Sequence, residues 1–260
     1  MSTSFYLEQQ RPWAFEVAIP PSSAGVVGGL AAWWWLGVPF AALVALPIVT
    51  WLAPEFYRAW ILPEGYGVLE LSHFLVPLAG FFLGVRLLFA KSVRANRLWW
   101  VLILFGTLAC FYTAGEEHSW GQHFFGWQTP EAWGHLNRQN ETNLHNVSSL
   151  FNMLPRAVLE ITILVLGLIA PLAVWLFGPL RIRGLEPFMP SVILIPVSIG
   201  ALVYKLDSTV QKSLGIDGLV IRPAEAAETF YVLFMLFYLI LIARRITVIE
   251  QRRSWVPRQA

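Results

Sequence analysis

Long apolar runs alternate along this chain with short polar connections. The runs fall at approximately 26–52, 66–90, 97–115, 156–178, 188–204 and 224–243. Each approaches the ~20 residues that a helix needs to cross a hydrocarbon core roughly 30 Å thick. The pattern predicts an all-α membrane protein with about six transmembrane helices. Five or seven are the alternatives, because the fifth run is the shortest and Pro190 and Pro196 could kink it. Spanning helices tolerate proline where neighbours satisfy the freed backbone groups.

Between the third and fourth runs lies the only long connection, about 117–155, rich in aromatics, glycine and amides. Such a loop is expected to be structured and folded back onto the membrane surface. Trp120, Phe124 and Trp127 recur at i, i+4 and i+7, which predicts an interfacial helix or simple aromatic anchoring at headgroup depth. Thr129-Pro130-Glu131 predicts a fresh turn or helix start. The domain plan is an N-terminal segment 1–25, a transmembrane domain 26–243 that includes the loop 115–155, and a basic tail 244–260. Phe5, Tyr6, Trp13 and Phe15 read as a segment lying on the membrane surface, an unfolded segment being the alternative. The first apolar run is too long for a secretory signal.

Composition agrees with the pattern: 57% of the 260 residues are hydrophobic, 13% are charged, and mean hydropathy is +0.59. That is the polytopic membrane class. A net charge of only +2, with scattered basic residues, argues against a nucleic-acid partner. Cys110 stands alone, which excludes an intrachain disulfide and a cysteine-based zinc site. Arg11, the group Lys91, Arg94 and Arg97, the pair Arg181 and Arg183, and the C-terminal arginines Arg244, Arg245, Arg252, Arg253 and Arg258 share one side of the predicted topology. The positive-inside rule then predicts cytoplasmic termini and an extracytoplasmic loop. His73, His118, His123, His135 and His145 all fall on the outer side, with most of the acidic residues.

The candidate chemistry lies in Gly115-Glu116-Glu117-His118-Ser119-Trp120-Gly121-Gln122-His123 and in Asn137-Arg138-Gln139-Asn140-Glu141-Thr142-Asn143-Leu144-His145-Asn146. Ionisable groups in a membrane are costly unless they pair, meet water or bind something. Glu70 with His73, Ser119 with His123, Glu141 with His145, and Glu225 with Glu228 each have one-face helical spacing. A Glu-x-x-His pair opposed by carboxylates of other helices is the ligand arrangement of bundle metal sites. Glu70, His73, Glu225 and Glu228, completed by Glu116 or by Glu141 and His145, are thus candidate ligands for a divalent metal. A hydrogen-bonded network sealing the helix ends, or a metal-free vestibule, is the competing reading. Crowded carboxylates also favour acid–base work, with Glu116, Glu117, Ser119 and His145 as candidate catalytic residues. Trp120, Gln122, Asn143 and Asn146 are candidate substrate-binding residues, loop bracing being their simpler role. Were the third helix to continue past Gly115, Glu116, Ser119 and His123 would share one stripe and Glu117 would point away. Lys205 and Asp207 are expected to pair locally or to meet a carboxylate of the cluster.

The loop sequences Gly-Glu-Glu-His-Ser-Trp-Gly-Gln, Phe-Gly-Trp-Gln-Thr-Pro-Glu and Gln-Asn-Glu-Thr-Asn-Leu-His-Asn resemble the signature of an uncharacterised family of bacterial polytopic membrane proteins. The resemblance extends more loosely to Pro63–Glu70, Glu225 and Glu228. It marks Glu70, Glu116, Glu117, Ser119, Trp120, Gln122, Glu141, Asn143, His145 and Asn146, and does not include His73, His118 or His123. It implies a bacterial origin and a shared loop, with no activity attached. The leading functional expectation is a membrane-embedded enzyme acting on a lipid or lipid-linked substrate. The alternatives are a non-catalytic subunit docked to membrane-protein partners or pigments, and a proton-coupled transporter.

Overall fold

In a hydrocarbon medium every backbone polar group must be paired within the segment, which leaves the helix as the default for apolar runs. The computed structural model describes residues 26–27, 30–135, 141–144, 147–178 and 182–255. Among the described residues, six helices are long and apolar enough to cross a membrane. They are α1 (Trp33–Leu52), α2 (Val68–Leu88), α3 (Arg97–Glu117), α4 (Ser149–Thr162, continued through Ile163–Ile169 and Ala170–Phe177), α5 (Glu186–Leu214) and α6 (Pro223–Trp255). A two-rung antiparallel pairing of Val26–Val27 with Leu30–Ala31 precedes α1. The N-terminal surface segment expected over 1–25 lies outside the described residues, as do Asn137–Asn140, His145 and Asn146.

α6 is the hub, packed against α2 and α5, while α3 packs along α2. The largest buried side chains, Tyr57, Tyr204, Phe230 and Phe234, centre on α5 and α6. Close approach depends on Gly200, where an added Cβ would stand 2.1 Å from the Phe230 ring. α1 and the first half of α4 are peripheral and turn Phe40, Trp51, Leu150, Met153, Leu154 and Ile161 outward, as helices facing lipid do.

Two helices outrun their apolar stretches because their polar residues find partners. α5 continues past Tyr204 because Lys205 meets Glu160 and the Asp207 carboxylate accepts from Leu219 N at 3.0 Å. The local Lys205–Asp207 pair therefore does not form, and Lys205 takes the other expected course of meeting a carboxylate. α6 runs past residue 243 into the basic segment: Arg245 donates to the Pro187 and Met189 carbonyls, and Glu250 accepts from Ser92 N at 2.9 Å.

The interfacial helix expected over Trp120–Trp127 is replaced by a reversal. α3 ends at Glu117, and Ser119, Trp120 and Gly121 take positive φ values of 46°, 56° and 102°. Only one helical turn follows, Gln122–Phe125, closed by Gly126 with φ 68°. Trp127 is therefore not on a stripe with Trp120 and Phe124. A single turn, Glu131–Gly134, starts after Pro130 as anticipated.

Candidate functional site: an acidic chamber with a buried histidine

The even connections leave one end of the bundle basic and the other acidic. At the acidic end α2 starts after Gly67, α3 finishes at Glu117 and α6 starts at Pro223. Glu70 and His73 share a face of α2, and Glu225 and Glu228 share a face of α6, by the i, i+3 geometry of a helix. One ligating atom each from Glu70, His73 and Glu117 lies within 4.8 Å of the others, and the same is true of His73, Glu225 and Glu228. His73 belongs to both groupings and is 0% exposed.

Its hydrogen bonds are one-sided. His73 Nε2 lies 2.9 Å from the Thr229 hydroxyl, which itself donates to the Glu225 carbonyl at 3.3 Å. Nε2 donates to that hydroxyl or accepts from it according to the ring's tautomer. Nδ1 makes no hydrogen bond among the described residues and stands at ion-pair distance, 3.5 Å, from Glu117 Oε2. A proton or a metal cation between Nδ1 and this carboxylate joins the two, whereas a bare lone pair there would be repelled.

Across the chamber, Arg156 Nη1 donates to Glu228 Oε1 at 2.9 Å and Arg222 Nη2 to Glu225 Oε1 at 2.5 Å. Glu160 Oε1 ties the wall together by accepting from Arg156 Nε at 3.1 Å, Lys205 Nζ at 2.6 Å and Tyr231 OH at 2.8 Å. The cavity between them measures about 320 Å³ and opens to the outside. Its lining includes the carboxylates of both groupings, His123, Glu141 and Asn143 from the loop, and Tyr112, Phe151, Pro155 and Leu159 on the α3–α4 side.

Comparison of the chain with known protein families, curated proteins and solved structures finds no match.

The loop forms a second polar knot on the chamber wall. Ser119 Oγ donates to Glu141 Oε2 at 3.1 Å, accepts from Asn143 Nδ2 at 3.2 Å, and stands 3.2 Å from His123 Nε2. Glu141 reaches the same nitrogen of His123 from 3.6 Å, so the serine and the carboxylate do not sit on opposite sides of the imidazole as in a hydrolase triad. Glu116 lines the chamber but belongs to neither metal-type grouping: Oε1 accepts from Trp120 Nε1 at 2.7 Å and Oε2 from Leu144 N at 2.8 Å. Gln122 Oε1 accepts from Thr142 N at 2.7 Å, and Gln122 Nε2 donates to the Trp127 carbonyl at 3.2 Å. His118 is buried beside Phe74 and Phe124, with neither ring nitrogen hydrogen-bonded among the described residues. Burial first, and His123 second, lower its pKa from the usual histidine value, against the pull of Glu117.

Of the candidate ligands, the structure gathers Glu70, His73, Glu225 and Glu228, with Glu117 added, into two groupings that share His73. Glu141 shares the chamber but belongs to the loop knot. The stripe expected for a continuing third helix is reversed, since Glu117 enters the cluster and Glu116 braces the loop. Trp120 and Gln122 are engaged in bracing, and Asn143 does both by lining the cavity and holding Ser119. Arg156, Arg222 and Thr229 escaped sequence reasoning. The i, i+4 spacing of Arg156 with Glu160 and the i, i+3 spacing of Arg222 with Glu225 were the available signals.

Proposed function

We propose that the chain is a membrane-embedded enzyme acting on a lipid or lipid-linked substrate with the help of one divalent metal ion. Glu70, His73, Glu117, Glu225 and Glu228 would hold the ion. The observation that carries this reading is His73, wholly buried, with Nδ1 3.5 Å from Glu117 Oε2 and carboxylates of three helices grouped around the ring. Carboxylate oxygens with a single imidazole suit a hard or borderline ion such as Mg²⁺, Mn²⁺, Fe²⁺ or Zn²⁺. Such an ion supplies a Lewis acid and lowers the pKa of bound water. Thr229 orients the imidazole, while Arg156 and Arg222 each hold one oxygen of a ligand carboxylate, the outer support that metal sites use.

We place the acidic end outside the cytoplasm in a bacterial inner membrane. In support, Lys91, Arg94, Arg97, Arg183, Arg244 and Arg245 gather at the opposite end, in the short connections to which the positive-inside rule applies. Exposed Phe124, Phe125 and Trp127 on the loop suit headgroup depth.

The test is elemental analysis of purified protein after exposure to Mn²⁺ or Zn²⁺, followed by removal of free metal. Near-unit stoichiometry in the wild type, lost in His73→Ala and Glu228→Gln, is expected. A wild-type protein that retains no metal would overturn the reading.

A further inference from the structure

We infer that the chamber recognises an organic ammonium, the charged primary amine at the head of a lipid. This rests on the enzyme reading above for a lipid substrate and names the chemical class of its headgroup.

The sign of the wall comes first. Among the described residues the lining carries seven carboxylates against the two guanidinium groups of Arg156 and Arg222. Both guanidinium groups are already engaged, Arg156 with Glu160 and Glu228 and Arg222 with Glu225. With one divalent ion they balance the ligand carboxylates Glu70, Glu117, Glu225 and Glu228 and no others. Glu64 lines the chamber outside both metal-type groupings, so the loaded chamber stays negative. A cleft lined by one sign of charge focuses its field and concentrates ligands of the opposite sign. An anion is repelled there, and a neutral headgroup gains nothing from the field.

Glu64 is also the exposed carboxylate of the lining, which puts it at the opening. Its neighbour fixes it there. Gly65 takes φ 79° and packs so closely on the loop that an added Cβ would stand 3.1 Å from the His123 ring. The turn that enters α2 is thereby pinned beside the chamber wall.

The surface of the cavity points to an organic cation rather than to a second metal ion. Tyr112, Phe151 and Tyr231 line it together with the carboxylates. Aromatic faces attract an ammonium through the ring quadrupole, and carboxylate oxygens accept its N–H donors. A hydrated metal ion has use for the oxygens but not for the rings. His73 lies wholly buried, its Nδ1 without a hydrogen bond among the described residues and facing Glu117. The ion is seated on that side, and the rest of the chamber is left to the ammonium. A cavity of about 320 Å³ that opens to the outside lies at the low end of small-molecule sites, so it takes a headgroup and leaves acyl chains outside. Ion and ammonium draw on one field, so each lowers the affinity of the other by the same factor, and salt weakens the ammonium's hold.

The experiment uses the full chain in a neutral detergent, with and without Mn²⁺. The probes are a dioleoyl lipid ending in a primary amine, the matching diacylglycerol, dioleoyl phosphatidic acid, and butylammonium chloride. Native mass spectrometry reads the retained lipid, and displacement of the amine lipid reads butylammonium. The amine lipid should be retained about tenfold or more over diacylglycerol, the size of one charge-assisted contact, and phosphatidic acid less than diacylglycerol. Glu64→Gln should cut the preference about threefold, as suits an exposed charge, and Glu64→Lys should remove it. Mn²⁺ uptake should match the wild type in both variants, and because Glu64 is exposed neither disturbs the fold. Equal retention of amine lipid and diacylglycerol, preference for phosphatidic acid, or a Glu64→Lys variant with the wild-type preference overturns the inference; with Mn²⁺ still bound, each leaves the metal reading intact. Butylammonium that displaces the amine lipid at equal concentration supports ammonium recognition and overturns the lipid as its source. A chain that prefers the amine lipid but takes up no Mn²⁺ supports the inference and overturns the metal reading alone.

Discussion

His73 and Thr229 meet at 2.9 Å across the α2–α6 contact, and the bond leaves the other face of the imidazole turned toward Glu117. Thr229→Val keeps the side-chain shape and removes the hydroxyl. Metal affinity should fall about 10- to 100-fold, the usual loss for an outer-shell partner, and stability by ~1–3 kcal/mol for the stranded Nε2. Thr229→Ser should restore both. Mn²⁺ titration and thermal unfolding read the two effects.

Glu116 and Glu117 are neighbours in the chain with opposite roles. Glu116→Gln places an amide donor against Trp120 Nε1 or Leu144 N, so it should cost ~1–3 kcal/mol and spare metal binding. Glu117→Gln should remove a ligand and lower metal uptake with little loss of stability, since it also relieves carboxylate crowding. Thermal unfolding beside elemental analysis separates the two. Equal effects of both substitutions on metal content would contradict the assignment.

His118→Phe should stabilise the protein by roughly 1–2 kcal/mol, because two buried nitrogens without a hydrogen bond among the described residues give way to a ring that suits Phe74 and Phe124. The pH sign follows from the lowered pKa. The unfolded chain takes a proton on this ring as pH falls through about 6.5, whereas the folded protein resists it. Stability tied to His118 is thus full above that value and is lost as pH falls below it. The variant should show a shallower decline between neutral and mildly acidic pH in denaturant titrations.

Gly200→Ala should destabilise the bundle by about 1–3 kcal/mol through overpacking, because the new Cβ would meet the Phe230 ring at 2.1 Å in the α5–α6 contact. Gly126→Ala differs in kind. Nothing lies within 4 Å of its added Cβ, and only the φ of 68° opposes it, so a cost nearer ~1 kcal/mol is expected. Unfolding midpoints of the two variants should rank in that order.

Sequence alone determined the helical class, the six long apolar helices and the facing of Glu70 with His73 and of Glu225 with Glu228. These follow from requirements met within a segment: apolar length against a hydrocarbon core, and the helical repeat that stacks residues three apart. The tertiary structure decided which pairs converge, because nothing local ties α2 to α6. It exchanged the roles of Glu116 and Glu117 through three successive positive φ values, a reversal that requires Gly115 to lie under the Trp120 ring and Leu144 N to meet the Glu116 carboxylate. It also brought in Arg156, Arg222 and Thr229, whose partners lie on other helices or past a helix start. A helix end or a buried polar group is settled by whichever distant group satisfies it, and that choice is made only when the helices pack.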